Sequence, residues 1–473
     1  MAYAQAEVPS ISEYDSRIAD IIDGNRLGYI YNHPDKRLYG PITNPDQFVD
    51  EAWKGYKGPI GVYVHVPWCT DKPAPDADTA AMAANNVPKT ARDHLCSYCN
   101  LYTAVGRDIP NSYAASVQDE AAMYGPILSG NVEAQSLYFG GGSPSNLTVE
   151  DMMQMIQAIE QTVGPIDFAH ERAIEVIPDS VDLAKLQAMR ELFNRISVGV
   201  QSFDPQVLRN TGRAYDPVLA EQAIQNAFTA GFEDINGDLI IGLQGSSKET
   251  FQRDLEKMIR SGVTTITLYP NMIRPGTRAG KMAQYGLISY PTRVEVTEIT
   301  YGAAEQLQKE GYRRLSLTCW SKTKGYQQGE QIYSGIPIIG FGAGARSYGP
   351  HAHYALPYSE DVRFINNSIA RWKRSIDEGH FPDMNGIVMT DDMKQRARAI
   401  LGLMSQEGIE AAFLKNHFSG QLDALMRAGL VTVEGETIHY TEKGKAHSGA
   451  LSELFFSEED KQILAVKDSV RMH

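Results

Sequence analysis

The sequence predicts an α/β fold built on a parallel sheet, and three observations carry that prediction. Short apolar runs recur from about residue 57 to residue 345, segments of helical period lie between them, and chemistry-bearing residues follow directly after the runs. The runs are 60–65, 136–139, 173–177, 195–200, 235–241 and 264–268. Strands covered by helices on both faces read as such short, nearly continuous apolar stretches. Between them, segments 149–163, 181–192 and 248–259 repeat their apolar residues at helical spacing and carry charged faces. Six strands separated by helices give a sheet that is barrel-like or doubly wound, with chemistry at the carboxyl ends of its strands. Cys69 and the glycines from Gly140 both follow predicted strands, as that rule requires.

The flanks differ in character. Residues 1–56 are turn-rich and read as an N-terminal extension before a core of residues 57–345. In residues 346–473, helical patterns at 393–405 and 419–428 precede Leu430-Val-Thr-Val-Glu-Gly-Glu-Thr-Ile-His-Tyr440, a strand–turn–strand pattern. This end reads as a small winged-helix-like module. With 473 residues, 42% of them hydrophobic, the chain is expected to bury a large core and to hold two or three domains. Four unevenly spread cysteines do not form a disulfide framework and suit a reducing compartment. The start, Met1-Ala-Tyr-Ala-Gln-Ala-Glu-Val-Pro9, lacks a basic region followed by an apolar stretch, so a cytoplasmic location is expected. No run approaches the roughly 18 apolar residues of a membrane span. A formal charge of −14 argues against nucleic acid as a partner but leaves room for a small anionic substrate held by local arginines.

Three of the four cysteines, Cys69, Cys96 and Cys99, lie beside Tyr63-Val-His-Val-Pro-Trp-Cys69. The tight Cys96-Ser-Tyr-Cys99 turn can place two thiolates on one inorganic core, and three thiolates on a four-iron cubane leave one iron open for a substrate. The residues alone equally allow Cys69 to be a buried thiol, with only Cys96 and Cys99 doing chemistry. Between Cys69 and Cys96 lie 26 residues, rich in Ala, Asp and Asn, and segment 73–92 reads as an inserted loop. Closure cost grows logarithmically with length, so extruding it costs roughly 2 kcal/mol. In Tyr138-Phe-Gly-Gly-Gly-Ser-Pro-Ser145, the three glycines at a strand end bring bare backbone close to a ligand or make a tight turn. Glu175, Gln201 and Asp238 interrupt successive apolar strands at their ends, positions costly for a polar group unless it is paired or bound to a ligand.

In order along the chain, these pieces resemble the radical S-adenosylmethionine (SAM) superfamily. The branch they match contains oxygen-independent coproporphyrinogen III oxidase, related haem chaperones, and the class C radical SAM methyltransferases and cyclopropanases. The matching segments are Tyr63-Val-His-Val-Pro-Trp-Cys69, Cys96-Ser-Tyr-Cys99, Gly140-Gly-Gly-Ser-Pro-Ser145, Glu175-Val-Ile-Pro178, Arg195-Ile-Ser-Val-Gly-Val-Gln-Ser-Phe203, Gly212-Arg213, Gly237-Asp238-Leu-Ile-Ile-Gly-Leu243, Arg274-Pro-Gly-Thr277 and Ile339-Gly-Phe-Gly-Ala-Gly-Ala345. The resemblance implies a partial (β/α)6 barrel with a [4Fe–4S] cluster on Cys69, Cys96 and Cys99. SAM would be bound at the open iron and cleaved to methionine and a 5′-deoxyadenosyl radical. It places Gly140, Gly141 and Gly142 near the methionine amine, and Glu175, Arg213 and Asp238 around SAM. Tyr63 would lie near the cluster-bound SAM and Gln201 at the boundary with a second SAM. Residues 339–345 would line that second site or simply pack closely. His65 is expected to be a satisfied core histidine and Cys319 a structural thiol.

Within the branch, several departures point to a specialised member. Leu101 stands where oxidases usually carry a further cysteine, and Cys99-Asn-Leu replaces the Cys-Asp-Phe common in the chaperones. The chain also has Gly325-Tyr-Gln-Gln-Gly-Glu where chaperones show a His-Asn…Tyr-Trp segment, Gln244-Gly-Ser-Ser where a Pro-containing segment is common, and the 73–92 insertion. The long N-terminal extension suits the oxidases and class C enzymes better than the chaperones. The leading expectation is class C methyl or methylene transfer, with two SAM molecules, to an sp² carbon of a small aromatic or tetrapyrrole-like molecule. The alternatives are the oxidase, which decarboxylates propionate side chains, and a haem-binding chaperone. The implied partners are a small-molecule substrate and a reducing protein such as flavodoxin or ferredoxin.

Overall fold

Alternating apolar runs and amphipathic segments become strands and covering helices wherever the strands can bury both faces. The computed structural model describes residues 11–471 apart from Tyr29, Asp71, Pro73, Ser129, Ala214 and Glu360; the segment 1–10, read above for a leader, lies outside them. In chain order, helices α1 (Ile11–Asp23) and α2 (Pro45–Trp53) precede β1 (Gly58–Val66). The inserted segment holds α3 (Asp76–Ala84), and α4 (Ser112–Leu128) leads to β2 (Val132–Gly141). The alternation continues through α5 (Val149–Val163), β3 (Glu171–Val176), α6 (Leu183–Arg190), β4 (Arg195–Gln201), α7 (Pro217–Thr229), β5 (Asp234–Ile241), α8 (Lys248–Arg260) and β6 (Thr265–Pro270). Next come α9 (Arg278–Gln284), α10 (Arg293–Lys309), β7 (Cys319–Ser321), α11 (Gln327–Tyr333) and β8 (Ile338–Phe341). Strands β9 (Arg346–Tyr348) and β10 (Ala352–Ala355), helix α12 (Val362–Asp377) and β11 (Asn385–Val388) follow. The chain then runs through α13 (Asp391–Met404), α14 (Ser419–Arg427), β12 (Val431–Glu434), β13 (Thr437–Tyr440) and α15 (Glu442–Leu451).

All six predicted strands form, as β1 to β6, and a seventh joins them. The large sheet runs Gly40–Pro41, β11, β10, β9, β8, β1 to β6, β7 and Arg313–Arg314, with the central stretch from β8 to β6 parallel throughout. The seventh parallel strand is made from the start of segment 339–345: Ile339 pairs with Val62 and Gly340 with Tyr63. The sheet's two edges do not pair with each other, yet inner-face residues of β1 to β6 line one cavity. The sheet therefore curls without closing, the partial α/β barrel that the resemblance implies.

Local signals explain individual elements. Helix α5 begins where the Thr148 side chain accepts from the Asp151 amide at 3.0 Å and ends at Gly164, whose φ of +86° only glycine adopts readily. Its buried Met152, Met155, Ile156 and Ile159 recur at helical spacing and face the sheet.

Among the described residues two large hydrophobic cores result, beside a small cluster of Met82, Val87 and Met282. The larger joins the sheet to α2, α4, α5, α6, α7, α8, α10 and α12. The smaller holds α13, α14, α15 and the three-stranded sheet Ile409–Glu410, β13, β12, the winged-helix-like module of the C-terminal end. Helix α1 belongs to this second core through Tyr14, Ile18 and Ile21, whereas Trp53 of α2 donates to the Tyr354 hydroxyl of β10 at 2.8 Å. The N-terminal extension is therefore shared between the two cores. The sheet also continues past residue 345 to Val388, so the boundary expected at 345/346 falls between two paired strands, β8 and β9.

The expectation of a plain loop over 73–92 is corrected. Asp76–Ala84 is helical because it is alanine-rich and carries Asp76 and Asp78 in its first turn, where the helix dipole favours negative charge.

Candidate active site

Side chains alternate across a strand, so every second residue of β1 to β6 faces the concave side. There they line a cavity of about 1280 Å³. Its polar residues form stacked sets held by one another. Deepest is Arg195, between Glu171 at 3.6 Å and Asp234 at 3.5 Å and over the Tyr326 ring at 5.5 Å. Above it, Asp238 accepts from Asn236 Nδ2 at 2.7 Å and Ser197 Oγ at 3.2 Å, and Thr267 donates to Asn236 Oδ1 at 2.9 Å. Burial raises the Asp238 carboxyl, opposed by those two hydrogen bonds.

Glu175, at the end of β3, accepts from the Tyr138 hydroxyl at 3.0 Å and the Gly141 amide at 3.2 Å. Burial, and then the Asp238 charge, push its carboxyl up to about 7. A fixed carboxyl in that state gains by meeting an ammonium group. Tyr63 stacks on Tyr138 with ring centroids 6.0 Å apart and planes 18° from parallel. Its hydroxyl meets His65 Nδ1 at 3.2 Å, while His65 Nε2 meets the Tyr102 carbonyl at 2.9 Å. With both nitrogens engaged and burial lowering its pKa to about 4, His65 is the satisfied neutral histidine the sequence suggests.

Gln201 and Arg213 hold unspent polar capacity. Gln201 has a φ of +68°, a strained conformation for a side-chain-bearing residue, and its buried Oε1 has no partner among the described residues. Arg213 donates from Nη1 to the Gly199 carbonyl at 2.6 Å, but its buried Nε has no partner among them. The glycine run is more committed: the Gly141 amide donates to Glu175, and the Gly142 amide to the Val66 carbonyl at 2.7 Å. A Cβ on Gly142 would lie 2.4 Å from the Trp68 carbonyl oxygen, and one on Gly140 would meet the Tyr63 ring. Close packing against β1 thus accounts for these glycines, and Gly141 and Gly142 also line the cavity. Segment 339–345 is similarly self-engaged. Its Gly340, Gly342 and Ala343 amides donate to Ser347 Oγ, Glu120 Oε2 and the Tyr113 hydroxyl.

Cys69, Cys96 and Cys99 line the same cavity. The Cys96 turn closes through the Cys99 amide onto the Cys96 carbonyl at 2.9 Å, and its Ser97 is pinned to Thr211 and Ala279. The Cys69 sulfur accepts from Lys72 Nζ at 3.0 Å and Ser143 Oγ at 3.2 Å. Burial disfavours the Cys96 thiolate, yet the Arg213 and Lys72 charges more than offset this and lower its pKa. Burial, then the Cys96 and Cys69 charges, push Cys99 up to about 11. Among the described residues, no three His, Cys, Asp or Glu side chains converge tightly enough for a single metal ion. Three of the four thiols that line the cavity, Cys69, Cys96 and Cys99, with two cations to stabilise their ionised forms, fit a polynuclear core that takes one thiolate per iron. Cys319, in β7 beside β6, also lines the cavity but near Arg195, Glu171 and Asp234, with burial raising its thiol to about 11.

Several cavity residues escaped the sequence reading. Ser197 and Asn236 share the inward faces of Gln201 and Asp238 at even spacing, a signal that period-two counting would have found. Arg346, the first residue of β9, left no such signal, because its place depends on which strand pairs beside β8; nor did Lys72, which is not among the cavity-lining residues and reaches Cys69 from a loop.

The family model of the radical SAM superfamily matches residues 93–258. The heme chaperone HemW of Bacillus subtilis is 21% identical over 407 residues, covering 84% of this chain and 99% of the relative. The oxygen-independent coproporphyrinogen III oxidase of Pseudomonas aeruginosa is 23% identical over 444 residues, covering 88% and 89%. The crystal structure of coproporphyrinogen III oxidase (HemN) from Escherichia coli superimposes with a TM-score of 0.72 at 20% identity, over 90% of this chain and 96% of that one.

Proposed function

We propose that this chain, which belongs to the radical SAM superfamily on its coproporphyrinogen-oxidase-like branch, takes a hydrogen atom from a carboxylate-bearing, tetrapyrrole-like small molecule. The family's cofactors are a [4Fe–4S] cluster and SAM. Cys69, Cys96 and Cys99 would hold the cluster. Glu175 would accept the SAM ammonium, Arg213 would face its carboxylate, and Asp238 would face hydroxyl groups. When bound, the cluster supplies the electron that cleaves SAM to methionine and a 5′-deoxyadenosyl radical. One observation carries the reading: the three thiols, Glu175, Gln201, Arg213 and Asp238 all line a single cavity. At about 1280 Å³ it exceeds the roughly 300–1,000 Å³ of an ordinary small-molecule site, leaving room for SAM and a second molecule.

The chemistry of the second molecule follows from the other lining residues. Arg274, Arg293, Arg346 and Lys445 bring local positive charge to a chain with a net charge of −14, which suits a substrate with several carboxylates. Residues 25–28 and Ile30, Tyr31 and Tyr39 after α1, with residues of α15, also line the cavity, so parts of both hydrophobic cores wall it. Oxidative decarboxylation then fits best. A propionate side chain would lose a hydrogen atom to the radical, then CO2 and one electron to an acceptor, leaving a vinyl group.

The methyl or methylene transfer expected from the sequence draws no support, since the relatives carry oxidase and chaperone names and the amides of segment 339–345 are internally engaged. A haem chaperone would call for an axial ligand. The single imidazole among the described cavity-lining residues, His65, has both nitrogens engaged, which leaves Met272, Met404, Cys319 and the lining tyrosines as the side chains that could serve. The test is anaerobic incubation of the reconstituted protein with SAM, dithionite and coproporphyrinogen III. Substrate-dependent 5′-deoxyadenosine and a product lighter by CO2 and two hydrogens are expected. Matched S-adenosylhomocysteine would overturn the reading in favour of methyl transfer. Haem binding without SAM cleavage would overturn it in favour of a chaperone.

A further inference from the structure

The insertion between Cys69 and Cys96 plays no part in the chemistry above, yet it is anchored at both limbs. Met82 of α3 and the following Val87 bury themselves against Met282 of α9. Asp78 faces Arg278 of α9 at 3.7 Å. Lys281 of the same helix holds the far limb through Asp93 at 2.7 Å, Thr90 Oγ1 at 3.0 Å and the Pro88 carbonyl at 3.1 Å. The Lys72 amide ties the near limb to the His94 carbonyl at 2.8 Å. Between these anchors the Lys72 side chain is turned inward and buried, with its ammonium 3.0 Å from the Cys69 sulfur and 3.4 Å from the Thr70 carbonyl.

We propose that the insertion sets the reduction potential of the cluster, by holding the Lys72 ammonium against the Cys69 sulfur. Hydrogen bonds to cluster sulfurs and nearby positive charge both favour the reduced, more negative state. The inference rests on the reading of Cys69, Cys96 and Cys99 as cluster ligands. Lys72 is then a positioning residue: it acts through the sulfur and touches neither SAM nor substrate. At the short range seen here, partly shielded from water, the loss of one charge changes a one-electron equilibrium by about ten-fold.

The test is a potentiometric titration of the full-length reconstituted protein without SAM, using dithionite and redox mediators and reading the reduced cluster by electron paramagnetic resonance. Lys72→Met and Lys72→Gln should lower the ratio of reduced to oxidised cluster about ten-fold at the wild-type midpoint, equivalent to about 59 mV for one electron. Lys72→Arg should stay near the wild type, and iron content should be the same in all four proteins. Unchanged midpoints in both neutral variants would overturn the proposal. Iron loss in both neutral variants, with retention in Lys72→Arg, would overturn it too, by showing that the ammonium builds the cradle instead. A wild-type protein that takes up no cluster would instead overturn the ligand reading itself.

Discussion

Glu175 shows how a single residue can be legible in a sequence while its state is not. A carboxyl inside an apolar run marks a costly position, and so does Asp238. That Asp238 is tied by Ser197 and Asn236, whereas Glu175 is raised to about 7, depends on register between strands. The consequence is testable. In the proposed SAM site only the ionised Glu175 would pair with the ammonium, so SAM affinity should tighten as pH rises through 7. Glu175→Gln should flatten that dependence and weaken binding by about ten-fold or more at pH 8. Equilibrium binding across pH 6 to 8 checks this, and an unchanged slope in the variant would exclude Glu175 from the amine site. The cysteines were legible as a spacing pattern. Cys96→Ala and Cys99→Ala should each remove the cluster's absorbance near roughly 400 nm along with its iron; full iron retention in either variant would exclude that residue as a ligand. Lys72 was illegible because its approach to Cys69 is made by tertiary contacts of the insertion.

At the scale of elements, the six parallel strands were readable because both faces are buried and the apolar runs are therefore short and unbroken. The insertion was misread because its Ala, Asp and Asn content fits a solvated loop as well as a helix, and docking on Met282 decided between them. The seventh strand, β8, overlaps the start of the glycine-rich segment 339–345, which reads equally as a second SAM site or as close packing. Its end is fixed from α4, where Glu120 accepts from the Gly342 amide at 2.6 Å and from Trp372 Nε1 at 3.1 Å. Burial raises that carboxyl from 4.5 to about 7. The folded protein then holds a proton that the unfolded chain releases, so this group's contribution to stability falls as pH rises from about 4.5 through 7. The full effect is on the order of 3 kcal/mol. Urea denaturation at pH 5 and pH 8 should show Glu120→Gln gaining stability relative to the wild type at the higher pH. A constant difference between the two proteins would contradict this.

For the whole molecule, the extension and the C-terminal module looked like separate appendages, because composition does not reveal which distant segments share a core. Helix α1 packs Ile18 and Ile21 into the second core, and the segment after it lines the cavity. Ile21→Ala should cost about 2–5 kcal/mol in urea denaturation, as for a fully buried aliphatic side chain; a cost near zero would mean that α1 is not part of that core. The central claim is that this cavity directs the adenosyl radical at a propionate side chain. The most direct measurement supplies coproporphyrinogen III deuterated on its propionate side chains and reads the isotope content of the 5′-deoxyadenosine formed. Deuterium in 5′-deoxyadenosine, without S-adenosylhomocysteine, is the predicted result. Unlabelled 5′-deoxyadenosine accompanied by an equal amount of S-adenosylhomocysteine would contradict it.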